Sequence, residues 1–256
     1  MNYGALLEMA ARAGEIMLVS GAEVYRVEDT IRRILKQSGL EGIDVFVLTT
    51  GIVATITVPG AQPLTLVRRV SRRETNLNRI YRVNDVSRHF CSGALTLEEA
   101  WAQLEEIAAA VRYHFWKKCA GYALTTGFFA ILFGGGPAEC AASAAVGTLL
   151  FFVLRGLARL RLNDFCQNAG GSFVLAAASC GIRQWLLPQM NLDAVIISSL
   201  MPLVPGVTFT AAIRDTLNGD YSSGVARCAE AVVVALAVAS GVGAAMLALG
   251  MTGGLA

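Results

Sequence analysis

The residues with the most chemical potential lie in one stretch, Ser198-Ser199-Leu-Met-Pro202-Leu-Val-Pro205-Gly206-Val-Thr208-Phe-Thr210. It sits in the middle of an apolar segment, 192–213, that is long enough to cross a bilayer. Each proline removes a helical hydrogen bond, and its ring collides with the preceding turn. Two prolines followed by a glycine therefore predict a helix broken near mid-span. Backbone groups freed in lipid are costly, so such a break persists only where protein buries it or where it lines a cavity. The second half-helix would present amides near Val207 and Thr208, suited to a carboxylate. Carbonyls near Ser198 and Ser199 would suit an ammonium group or an ion. Ser198, Ser199, Pro202, Pro205, Gly206 and Thr208 are thus the candidate solute-binding residues. A proline-kinked helix that only packs is the competing reading, and both stay open on the sequence.

A charged set follows the same segment: Arg214-Asp215, Gly219-Asp220, Arg227 and Glu230. Arg227 and Glu230 stand three residues apart at the start of the last apolar segment, so they can pair on one helix face. Asp164, with Gln167 and Asn168, opens an earlier apolar segment and could line the same mouth. Read functionally, Asp164, Arg214, Asp215, Asp220, Arg227 and Glu230 form a gate or a proton-coupling site. Read structurally, they are ion pairs that fix helix ends, where charge is cheap. The chain has no G-x-S-x-G, no P-loop and no H-E-x-x-H. Its six cysteines form no C-x-x-C and only two histidines are present, so no metal and no cofactor are expected. A net charge of +2 does not suggest nucleic acid.

The elements that must hold these residues follow from where charge is found. Of 256 residues, 55% are hydrophobic, and mean hydropathy is +0.55. Residues 1–118 carry 15 Lys+Arg and 13 Asp+Glu, whereas the rest carries 6 and 6, with no lysine after Lys118. A water-facing surface needs charge along its whole length. The asymmetry predicts a membrane protein: a cytosolic α+β domain over 1–115, then an α-helical bundle of about five transmembrane helices over 116–256. The spans are placed near 118–134, 138–154, 166–187, 192–213 and 227–251. No signal peptide is visible, since Glu8, Arg12 and Glu15 interrupt the start. Arg155, Arg159, Arg161, Arg214 and Arg227 then fall on the cytoplasmic side, which puts the C-terminus outside. The arginines at 68, 69, 72 and 73 read as a solvated surface or as a contact with anionic headgroups.

Within the N-terminal part, residues 3–19 repeat at helical spacing. Ser20-Gly-Ala-Glu23 fits a capping box for a second helix ending before Gly39. Stretches 43–49, 52–58 and 64–70 read as strands, and 76–90 as a helix. Thr96-Leu-Glu-Glu99 is a second capping box, opening a helix with Leu97, Trp101, Leu104, Ala108 and Val111 on one face. That helix is expected to run on toward the membrane, with Arg112, Tyr113, Trp116, Lys117 and Lys118 as an interfacial anchor. A membrane-anchored enzyme would draw instead on Arg26, Glu28, Asp29, Asn84 and Arg88. Glu28 and Asp29 beside Arg32 and Arg33 are more simply surface ion pairs. A regulatory or scaffold role for the domain is a third reading.

The sequence resembles the threonine/serine exporter family over nearly its whole length. The resemblance is carried by Ser20-Gly-Ala-Glu23-Val-Tyr-Arg26-Val-Glu28-Asp29-Thr30, by Asn84-Asp-Val-Ser87-Arg88 and by Pro202-Leu-Val-Pro205-Gly206. It continues through Arg214-Asp215, Gly219-Asp220, Gly224, Arg227 and Glu230-Ala231. It implies export of small hydrophilic metabolites, threonine and serine or a dicarboxylate such as succinate, across a bacterial inner membrane and driven by the proton-motive force. Ending after five spans, the chain looks like the larger subunit of the split form, which works with a small integral-membrane partner subunit. Five is an odd number, so a following repeat would insert inverted, and inverted repeats hold solute at their interface. A partner of opposite orientation, or a second copy, is therefore expected.

Overall fold

The computed structural model describes residues 2–71, 73–110 and 113–250. Among these, the chain forms ten helices and three strands. They are α1 (Tyr3–Val19), α2 (Val24–Lys36), β1 (Ile43–Leu48), β2 (Gly51–Ile56), β3 (Leu64–Arg69), α3 (Leu77–Cys91), α4 (Leu97–Ala109), α5 (Phe115–Leu132), α6 (Pro137–Arg159), α7 (Asp164–Trp185), α8 (Leu192–Leu200), α9 (Gly206–Leu217) and α10 (Tyr221–Ala248). They divide into two compact units, Met1–Val111 with Val207–Ala229, and Arg112–Gly206 with Glu230–Ala256. The charge asymmetry points to a boundary near the first crossing. It gives no sign that 207–229 returns to the first unit.

In the first unit, β1, β2 and β3 form an antiparallel sheet in that order, with Val47 opposite Ile52 and Phe46 opposite Val53. Strand side chains alternate between faces. Val45, Val47, Ile52, Ala54 and Ile56 are accordingly buried, while Phe46 and Val53 are exposed. The buried face joins Leu6, Met17, Ile31, Ile34, Val83 and Leu104 in one core. Each fully buried aliphatic side chain of this kind contributes roughly 1.5–3 kcal/mol.

Two local expectations are corrected. Ser20 does not cap α2; its N–H bonds back to Ile16 and Met17, ending α1, and Gly21 turns the chain at φ +87°. Glu23 takes the N-cap position of α2, but its side chain makes no capping bond to the helix amides. Nor does α4 run on. It stops at Ala109, where Arg79 Nη2 donates to the carbonyls of Ala108 (3.0 Å) and Ala110 (3.3 Å). Terminal carbonyls need such donors once no helical amide follows. The capping box at Thr96 and Glu99 does form, with Glu99 Oε2 accepting from the Thr96 N–H at 2.8 Å. Arg72, Val111 and Arg112, named above, lie outside the described residues.

In the second unit α5, α6, α7 and α8 pack on one another. Val146, Leu150, Leu175, Val195 and Val238 lie in their core. Small residues set the spacing, as is usual between apolar helices. A Cβ at Gly147 would strike Thr126, and one at Gly241 would strike the Ala169 carbonyl and Ser172. Thr126 Oγ1 donates to the Ser143 carbonyl at 2.7 Å, so α5 and α6 share a buried hydrogen bond. Among the described residues two helices, Pro137–Arg159 and Tyr221–Ala248, are long and apolar enough to cross a membrane. The other three apolar segments are occupied by α5, α7 and the α8–α9 pair.

Candidate functional site

The fourth apolar segment is interrupted where its prolines fall. Helix α8 ends at Leu200 and α9 begins at Gly206. Between them the ladder tightens: Leu203 N–H bonds the Leu200 carbonyl at 2.8 Å, and Gly206 N–H bonds that of Val204 at 2.8 Å. Pro202 and Pro205 have no N–H to give. Val204 and Pro205 border an apolar groove of about 470 Å³ together with Val238, Val242 and Gly243. Ser198 and Ser199 are fully buried. Ser198 Oγ lies 2.9 Å from Ser143 Oγ and donates to the Val195 carbonyl, so it ties α8 to α6. Ser199 Oγ is buried without a hydrogen bond among the described residues. Buried hydroxyls are nearly always bonded, which marks this one as a group able to accept a partner. Thr208, in α9, groups with the first unit.

The charged residues assemble in the first unit, around a partner that the spacing of the motifs does not reveal. Asp215 and Arg227 are 0% and 3% exposed, with Arg227 Nε 3.0 Å from Asp215 Oδ2. The other carboxylate oxygen of Asp215 accepts the Val24 N–H at 3.0 Å, and Arg227 Nη2 donates to the Ala22 carbonyl at 2.6 Å. Asp215 therefore supplies the cap that α2 lacks from its own Glu23, because the amide at a helix start needs an acceptor. Glu23, thus released, accepts from Arg214 Nη1 at 2.8 Å and Arg26 Nη1 at 3.2 Å. Asp220 closes the α9–α10 turn by donating its N–H to the Asp215 carbonyl. A Cβ at Gly224 would strike Thr216, so this hairpin closes only on a glycine.

Electrostatics separates the acids into two kinds. Burial pushes the Glu23 carboxyl upward, but its own backbone amide, Arg214 and Arg26 outweigh that and hold it below the ordinary range. Burial raises Asp215, against the Val24 amide and Arg227, with Asp220 and Glu23 adding to the rise. Burial raises Asp220. Burial also raises Glu28, against its bond to the Val47 amide, and Asp220 adds to it. Burial thus shifts three of these carboxyls upward, while Glu23 is held low.

Asp164 is exposed at the start of α7, where Asn163 caps the helix through the Cys166 amide at 2.8 Å. Asp164 and Glu230 group with the second unit. Three of the five residues offered for an enzyme are engaged locally. Asp29 pairs with Arg33 on the surface at 2.8 Å, Arg26 with Glu23, and Glu28 with the Val47 amide.

The model of the threonine/serine exporter family, ThrE, matches residues 8–249. The chain is 26% identical over 245 residues to a threonine/serine exporter of Corynebacterium glutamicum, covering 93% of this chain and 50% of that protein. It is 23% identical over 240 residues to a probable threonine/serine exporter of Mycobacterium tuberculosis, covering 93% of this chain and 45% of that one. The chain thus spans about half the length of these two relatives. A probable succinate transporter subunit, YjjP, of Escherichia coli is 24% identical over 256 residues, and here the match covers 97% of this chain and 96% of the relative. All three names describe transport and none an enzyme. No solved structure matches the chain.

Proposed function

Because the chain belongs to the threonine/serine exporter family, we propose that it is one subunit of a secondary exporter of small hydrophilic carboxylates. The observation that carries this reading is the interruption between Leu200 and Gly206, inside a segment otherwise apolar enough to span a membrane. Broken helices at mid-span are where secondary transporters hold their cargo, since the freed backbone groups coordinate what lipid cannot. Pro202, Pro205 and Gly206 make the break, Ser199 offers an unengaged hydroxyl, and Thr208 follows on the second half-helix. The cargo is threonine, serine or a dicarboxylate such as succinate, as the relatives' names suggest.

The acids around Asp215 supply proton coupling. Protonating Asp215 would remove the counter-charge of Arg227 and weaken the cap on α2. The α9–α10 turn would then be held less firmly to residues 22–24, and α9 begins at the break. The proton-motive force thus acts on the half-helix that binds cargo. Asp164 and Glu230 gate the path elsewhere along it.

The N-terminal domain is cytosolic, and five spans follow it in a bacterial inner membrane. A small membrane subunit of opposite orientation completes the path, in keeping with the word "subunit" in the YjjP name. The test is flux from proteoliposomes holding this chain alone or with a short five-span protein encoded beside it. Proton-dependent efflux of serine, threonine or succinate by the pair only is the expected result. Equal flux by the monomeric chain alone would overturn the two-subunit reading, and no flux of any solute by the pair would overturn the exporter reading.

A further inference from the structure

Near the start of α5 the second unit contains a cavity of about 500 Å³. Lys117, Lys118, Gly121, Tyr122 and Thr125 of α5 line it, with Pro202 of the helix break. The two lysines fall in the first turn of α5, which has no acidic residue, and the N-cap His114 makes no capping bond. Like charge at the positive end of a helix is unfavourable. Among the described residues neither lysine has an ion-pair partner that would offset this. Both lysines line one cavity, and two cations on one lining favour an anion there.

Past the lysines the lining continues with Tyr122 and Thr125, two residues that carry hydroxyls. At 1.5 Å of rise per residue their Cα atoms lie roughly 6–12 Å farther along α5 than those of the lysines. Gly121 sits between them, and a Cβ there would meet nothing within 4 Å. A lipid headgroup would need only the cationic rim. A small solute with a polar group at each end would use the hydroxyls as well.

We propose that this cavity binds a small dicarboxylate beside the break, with Lys117 and Lys118 selecting net-negative solutes over zwitterionic amino acids. The assignment rests on the exporter reading only for the identity of the cargo. It is tested by binding to the full chain in nanodiscs of uncharged lipid, titrated with succinate and with L-threonine, alongside nanodiscs containing phosphatidylglycerol. A lost charge-assisted bond weakens binding by about tenfold or more. The Lys117→Gln/Lys118→Gln pair is therefore expected to weaken succinate at least tenfold and L-threonine far less. Lys117→Arg/Lys118→Arg should restore binding, and Gly121→Leu should block it by filling open space without disturbing packing.

Wild-type protein that ignores succinate, or a double Gln variant that binds it normally, overturns the assignment. So does a change confined to phosphatidylglycerol retention, which would make the lysines a headgroup contact. Binding needs no transport, so the two readings fail separately. A chain that binds succinate through these lysines but moves no solute with any partner contradicts the exporter alone.

Discussion

Asp215 and Arg227 form an ion pair with almost no access to water. Removing one member of such a pair strips the other of a buried partner, at roughly 3–5 kcal/mol. Asp215→Ala is expected to lose stability on that scale in a thermal melt, and also to free the Val24 amide. Asp215→Asn keeps that acceptor and should cost less. Asp220 and Glu28 share the upward shift of Asp215. Their folded carboxyls titrate above the unfolded value. Their contribution to stability is complete below the unfolded pKa and is lost as pH rises through the folded one. Asp220→Asn should therefore melt higher than wild type at neutral pH, with the gap closing in acid. If Asp220 also couples protons, that more stable variant should export more slowly, a separation that a merely structural role would not give. Glu23 is the reverse case. Its carboxyl is held low, so what it contributes is present at neutral pH and lost as pH falls through its depressed value.

At the scale of elements, local chemistry was legible in the sequence and long-range chemistry was not. The strands follow from β-branched alternation, and the α4 cap from Thr96 and Glu99. Both signals lie within a few residues of what they specify. Ser20-Gly-Ala-Glu23 carries the same local signal, yet Glu23 binds Arg214, 191 positions away. A capping pattern has no access to that competitor. The end of α4 at Ala109 depends likewise on Arg79 in another helix. The proline break was readable because the missing N–H groups belong to the prolines themselves. The lysine-lined cavity was not, since it needs Pro202 brought beside α5; from spacing alone Lys117 and Lys118 look only like an anchor. Helix contact makes its own prediction. At Gly241 an added side chain meets backbone, whereas at Gly243 it meets nothing within 4 Å. Gly241→Val should lose about 1–3 kcal/mol in a melt, while Gly243→Ala should hold or gain up to about 1 kcal/mol from helix propensity.

On the scale of the whole molecule, residues 207–229 join the N-terminal domain. A charged domain is thereby linked through α9 to the end of the break. In the proposed cycle, protonation at Asp215 reaches the cargo along that half-helix, and a second subunit supplies the rest of the path. The cycle depends above all on the interruption made by Pro202 and Pro205 holding the cargo. Efflux by the Pro202→Ala/Pro205→Ala variant, reconstituted with its partner subunit beside wild type, decides that point. Alanine is a better helix former than proline, so the variant should be expressed and fold at least as well. Efflux is expected to fall at least tenfold as the helix closes over its freed carbonyls. Wild-type efflux from that variant would mean that the break holds no cargo.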